Sequence, residues 1–84
     1  MIEVLFFAQV RERLDCASLS LAFPATGLDL DGLQARLIAE HGPGWAEVLG
    51  QDNIIRAVNQ VVAERNTPLN DGDEVAFYPP VTGG

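Results

Sequence analysis

Residues 1 to 7 alternate. Ile2, Val4 and Phe6 make one wholly apolar face, while Glu3, Leu5 and Phe7 make a second face that starts charged and ends apolar. A period of two is the signature of a strand, because successive side chains point to opposite faces of a sheet. The segment Ala8 to Leu14 places apolar residues at 10 and 14, an i, i+4 pair that suits a short helix. Alternation returns at 18 to 23, where Leu19, Leu21 and Phe23 share a side, and Pro24 ends the run because it has no N–H to donate.

From Asp29 to His41 the period becomes helical, with Leu30, Leu33, Leu37 and Ile38 in one stripe. Asp29 and Asp31 sit at the start, where carboxylates favour the helix dipole, and Gly42-Pro43 is the expected stop. This is the longest predicted helix and the expected core helix. Trp45 to Leu49 fits a further helical turn. Ile54 to Val58 and Val61-Val62 read as strands around Asn59-Gln60. Asn70 to Asp73 is a turn, and Glu74 to Tyr78 is the final strand. The sum is one α+β domain over residues 1–78, a small mixed sheet wrapped around one main helix, followed by an extended tail at 79–84.

The last strand repeats the pattern of the first. Val75 and Phe77 form its apolar face, whereas Glu74, Ala76 and Tyr78 run from charged to apolar. If the two strands lie side by side and parallel, their apolar ends coincide. Phe7 and Tyr78 then form an exposed patch away from the helix, where the tail leaves the sheet, and such a pair is a candidate partner surface.

Composition narrows the chemistry. Among 84 residues there are 12 acidic and 5 basic side chains, all five of them arginine, for a formal net charge of -7. So negative a surface repels phosphate backbones and anionic lipids, which sets nucleic acid and membranes aside. The single cysteine, Cys16, and single histidine, His41, make neither an internal disulfide nor a closed zinc site. A cytoplasmic location is the default expectation, because the opening segment has no basic leader and no apolar run approaches a membrane span. With no lysine there is no Schiff base and no side-chain amine for an isopeptide bond. A small domain with this inventory has little room for an active site of its own.

The chemical group is therefore sought at the end of the chain, which reads Pro79-Pro80-Val81-Thr82-Gly83-Gly84. Two prolines end the sheet and hold the next residues extended. Six extended residues reach roughly 20 Å at about 3.3 Å each. Gly83 and Gly84 carry no side chain, so they can enter a tunnel that any Cβ would block. They deliver the α-carboxylate of Gly84. A carboxylate is a poor electrophile and needs activation, for example as an acyl-adenylate. A sulfur nucleophile would then leave a thiocarboxylate; an enzyme cysteine followed by a target lysine would leave a protein conjugate.

With these residues in view, the sequence resembles the small subunits of molybdopterin synthase, ubiquitin-like β-grasp sulfur carriers. The resemblance rests on VLFFAQVRE (Val4 to Glu12), AVNQ (Ala57 to Gln60) and PLNDGDEVAFYPPVTGG (Pro68 to Gly84), while Leu14 to Asn53 contributes little. It implies a β-grasp fold and a cycle. An ATP-consuming activating enzyme adenylates Gly84, a sulfur relay protein converts it to the thiocarboxylate, and the tail enters the large synthase subunit. There it donates sulfur to cyclic pyranopterin monophosphate, forming the molybdopterin dithiolene of the molybdenum cofactor. Two large and two small subunits form a heterotetramer, the catalytic pocket belongs to the large subunit, and no cofactor or metal is held permanently. The resemblance also implies partner contacts through Phe7, Val62 and Tyr78 and through the tail residues Pro79, Pro80, Val81 and Thr82. Phe7 and Tyr78 are selected by alternation as well; Val62 is carried by the resemblance alone.

Other residues have simpler readings. Cys16 has no neighbour in sequence that would mark it as a reactive thiol, and His41 is a favourable residue at a helix C-terminus. Trp45 and Phe23 are expected in or beside the core, Arg11 and Arg13 on a solvated face, and Asp71, Asp73 and Glu74 in a tight turn, because the loop is too short for an EF-hand. Two alternatives are a ubiquitin-like modifier joined to target lysines through Gly84, and a sulfur carrier of another pathway, of the thiamine or tRNA-thiolation type.

Overall fold

The computed structural model describes residues 1–80; Val81, Thr82, Gly83 and Gly84 lie outside the described residues. The elements run β1 (Ile2–Phe6), α1 (Ala8–Leu14), β2 (Ser18–Leu21), β3 (Leu28–Asp29), α2 (Leu30–His41), α3 (Pro43–Leu49), β4 (Ile55–Val58), β5 (Val61–Val62), β6 (Pro68–Leu69) and β7 (Glu74–Tyr78). Five strands form a mixed sheet in the order β2-β1-β7-β4-β5, and β3 with β6 form a separate two-stranded ladder. The first and last strands in sequence lie side by side and parallel within the sheet, with Glu3 opposite Glu74 and Phe6 opposite Phe77. All other pairings in the sheet are antiparallel. This is the β-grasp arrangement.

The apolar faces inferred from alternation become the core. Ile2, Val4, Phe6, Val75 and Phe77 cover one side of the sheet and are all but fully buried against Leu30, Leu33 and Leu37 of α2. Val10 and Leu14 of α1 and Val48 and Leu49 of α3 join the same cluster. Phe6 stacks on Phe77 at 5.8 Å and meets the edge of Trp45 at 5.4 Å. Trp45 and Phe23 pack against the core as half-buried neighbours.

Local chemistry sets the boundaries. Asp29, expected as the first helical residue, is the N-cap of α2, and its Oδ1 accepts from the Gly32 N–H at 2.7 Å. That bond satisfies one of the helix's four orphan donors. Asn66 secures the same end, its amide donating to Asp29 Oδ2 and its oxygen accepting from the Asp31 N–H. Pro43, expected only as a stop, opens α3, where its missing N–H costs nothing. The strand expected at 18–23 ends at Leu21, and the one expected at 1–7 ends at Phe6. The β3–β6 ladder has no counterpart in the sequence reading, because two-residue strands are too short to show a period.

Candidate functional site

Phe7 leaves the sheet at the turn into α1. Its own backbone is extended, and its N–H still donates to Phe77 O at 3.1 Å. Ala8 then takes a positive φ of 51°, and the N–H groups of Val10 and Arg11 donate to Phe7 O. The ring is left at the mouth of the parallel pair, 37% exposed. Tyr78 ends β7 opposite Ile55 of β4. The rings of Phe7 and Tyr78 stack with centroids 4.7 Å apart and planes 6° from parallel, so the aromatic pair expected from alternation exists.

The strand register places further residues on that face. Leu5, Ala76, Ala57 and Val62 are opposite one another in turn across β1, β7, β4 and β5. Ala57 and Ala76 are 3% and 4% exposed yet lie outside the core cluster, so small side chains form a floor screened by larger neighbours. Val62 is exposed, at the far end of this row from Leu5, and is not part of the aromatic stack. Alternation already groups Leu5 with Phe7 and Ala76 with Tyr78, whereas Ile55 and Ala57 join them only through the pairing of β4 with β7.

The face has a charge gradient. At the end opposite the aromatic pair Glu3 lies across from Glu74, two like charges side by side, and neither has a cationic partner among the described residues. Ser20 Oγ donates to Glu3 at 2.7 Å. A partner that covers this face therefore needs an apolar centre and a basic edge.

Pro79 and Pro80 follow Tyr78 and are half-buried. With Gln9, Val10, Arg13, Val48 and Gln51 they line a crevice of about 30 Å³, so the root of the tail rests beside α1 and α3. Val81, Thr82, Gly83 and Gly84, expected to carry the chemistry, lie outside the described residues. A larger open groove of about 770 Å³ runs between α2 and the β4–β5 hairpin. Its cation is already engaged, since Arg56 Nη1 donates to Asp31 at 2.6 Å and Gln34 at 2.9 Å.

Several other polar residues serve the fold. Asp71 pairs with the Met1 ammonium and Asp73 Oδ2 accepts from the Asn70 N–H, which is the tight turn expected there. His41 stacks on Trp45 at 3.8 Å. The Cys16 thiol faces Ser18 O. Asp29 is held below the ordinary aspartate pKa, first by the Gly32 N–H and then by the Asn66 amide.

The family model described as "ThiS family" matches residues 4–84. The chain belongs to the ThiS family. A protein of Escherichia coli named molybdopterin synthase sulfur carrier subunit is 44% identical over 86 residues, covering 100% of both chains. Among solved structures, SAMP1 of Haloferax volcanii superposes with a TM-score of 0.79 at 25% identity, covering 99% of this chain and 98% of that one. The Helicobacter pylori complex of subunits 1 and 2 of molybdopterin-converting factor includes a chain 32% identical to this ThiS-family member. Its TM-score is 0.65, with 99% of this chain and 97% of that one covered.

Proposed function

We propose that this ThiS-family chain is the sulfur carrier subunit of a molybdopterin synthase. The likeness to the Escherichia coli carrier over the full length of both chains carries the reading. The position of the stacked Phe7–Tyr78 pair at the root of the tail supports it. In this reading the Gly84 carboxylate attacks the α-phosphate of ATP on an activating enzyme, expelling pyrophosphate. Sulfide-level sulfur from a relay protein then displaces AMP and leaves a thiocarboxylate. The tail, whose last two residues Gly83 and Gly84 carry no side chain to block a tunnel, carries that sulfur into the large subunit. There it is transferred to cyclic pyranopterin monophosphate, and water returns Gly84 to a carboxylate.

The domain supplies positioning and the reactive atom, while the large subunit supplies the pocket for an anionic substrate. Phe7, Tyr78 and Val62 would meet the large subunit, with Pro79 and Pro80 setting the direction of the tail, in an assembly of two large and two small subunits. ATP is consumed by the activating enzyme, and this chain holds no cofactor of its own. The setting is the cytoplasm; among the described residues no helix is long and apolar enough to cross a membrane.

Intact mass spectrometry of protein isolated from cells with a working sulfur relay tests the reading. The expected result is a species in which one oxygen is replaced by sulfur; carboxylate alone under those conditions would count against it. The likeness to SAMP1, by name a small archaeal modifier protein, favours one second reading, a protein modifier. Lysine conjugates bearing a Gly-Gly remnant after digestion would support that reading instead.

A further inference from the structure

Asn59 makes three bonds to a single point of the neighbouring strand. Its N–H donates to Glu74 O at 2.7 Å, its side-chain oxygen accepts from the Glu74 N–H at 3.0 Å, and its side-chain NH₂ donates to Asp73 Oδ1 at 3.0 Å. The amide orientation is forced, because a carboxylate only accepts and an N–H only donates. Asn59 and Gln60 both have positive φ, 51° and 69°, the two-residue turn that matches the twist of a hairpin. Asparagine or glycine serves such a turn equally well, so the turn alone does not call for this side chain.

The hairpin that Asn59 begins carries Val62. β5 is two residues long, sits at the end of the sheet, and among the described residues has β4 as its one strand neighbour. Its near end is set by the turn, and just beyond its far end the Ala63 N–H donates to Arg56 O at 2.9 Å. Glu74, which Asn59 grips together with the preceding Asp73, opens the strand that ends in Tyr78, and Asp73 O also accepts from the Glu3 N–H at the start of the strand that leads to Phe7. The Asn59 side chain thus ties the turn of the hairpin bearing Val62 to the start of β7, and the Asp73 main chain links that start to β1.

We propose that Asn59 is a positioning residue for partner binding, holding Val62 in fixed relation to Phe7 and Tyr78 so that all three present one surface. The inference rests on the partner surface described under the proposed function. It assigns no chemistry to Asn59, which acts through Val62.

The test uses the full chain and the purified large synthase subunit, with affinity measured by titration for Asn59→Gly, Val62→Ala and the double variant. Asn59→Gly keeps the turn and removes the side-chain bonds. It is expected to weaken binding about tenfold, and in its background Val62→Ala is expected to add less than twofold, because an interaction already misplaced has little left to lose. The rate of sulfur transfer at saturating carrier should not change, while the concentration giving half that rate rises. Asn59→Asp, which sets a carboxylate against Asp73, should weaken binding in the same direction. Gln60→Gly leaves the three bonds in place and should bind as the parent does. Affinity within twofold of the parent for Asn59→Gly, or fully additive effects with Val62→Ala, would overturn the proposal. Phe7→Ala separates the two levels: if it too leaves binding unchanged, the partner surface itself is wrong, whereas weakened binding by Phe7→Ala alone defeats only the role of Asn59.

Discussion

Phe7 and Tyr78 lie at opposite ends of the chain and stack face to face, 4.7 Å between centroids, because β1 and β7 run parallel and end together. Parallel pairing brings the two apolar strand ends to the point where the tail departs. Phe7 is partly exposed, so removing its ring takes little from the core. Phe7→Ala is expected to weaken the large-subunit complex by about 1 to 2 kcal/mol, the range of a central aromatic contact. Calorimetric titration checks this, and an unchanged dissociation constant would remove the proposed surface. Tyr78→Phe keeps the stack and should bind as the parent does.

Ala8 adopts φ 51° immediately after Phe7. A Cβ in that region costs about 1 to 2 kcal/mol, which glycine avoids. Ala8→Gly should therefore raise the midpoint of denaturant unfolding, offset in part by the greater freedom of glycine in the unfolded chain. A lower midpoint would show that the strain is relieved elsewhere.

Asp29 caps α2, and replacing it with alanine should lower the stability of the protein at neutral pH. Its pKa is lowered in the folded protein, so the unfolded chain takes up the proton first as acid is added. The contribution is complete above the ordinary aspartate pKa and is lost as pH falls through the lowered folded value. The stability gap between parent and Asp29→Ala should accordingly narrow below that ordinary value. A gap independent of pH would mean that the charged cap is not what stabilises the helix.

Gly83→Ala adds a methyl group near the end of the tail, and deletion of Gly84 removes the proposed reactive carboxylate. Both are expected to abolish or strongly slow sulfur transfer while leaving thermal unfolding unchanged, because among the described residues the core cluster is already filled by residues 2–77. Transfer at the parent rate after loss of Gly84 would rule out tail chemistry.

Much of the fold is legible in the sequence because the chain is patterned on one face at a time. Ile2, Val4 and Phe6, then Val75 and Phe77, then Leu30, Leu33 and Leu37 are consistent with the periods of strand and helix and become the buried core. Boundaries are less legible. Asp29 falls within the helical period yet caps the helix from outside, and Pro43 has the character of a terminator yet starts α3. Both cases depend on which backbone N–H groups are satisfied from outside the helix, a property that hydropathy does not report.

By itself, the sequence determined which residues of each strand and of the long helix turn inward, and the net negative charge that the chain carries. Only the tertiary structure decided which residues far apart in the chain share a surface. Val62 joins Leu5, Ala76 and Ala57 through the register of four strands, and Asn59 reaches Asp73 and Glu74 only because β4 pairs with β7. Alternation gives the face of each strand, whereas its neighbours and its stagger are set by long-range pairing, and a shift of one residue would turn Val62 to the other side of the sheet.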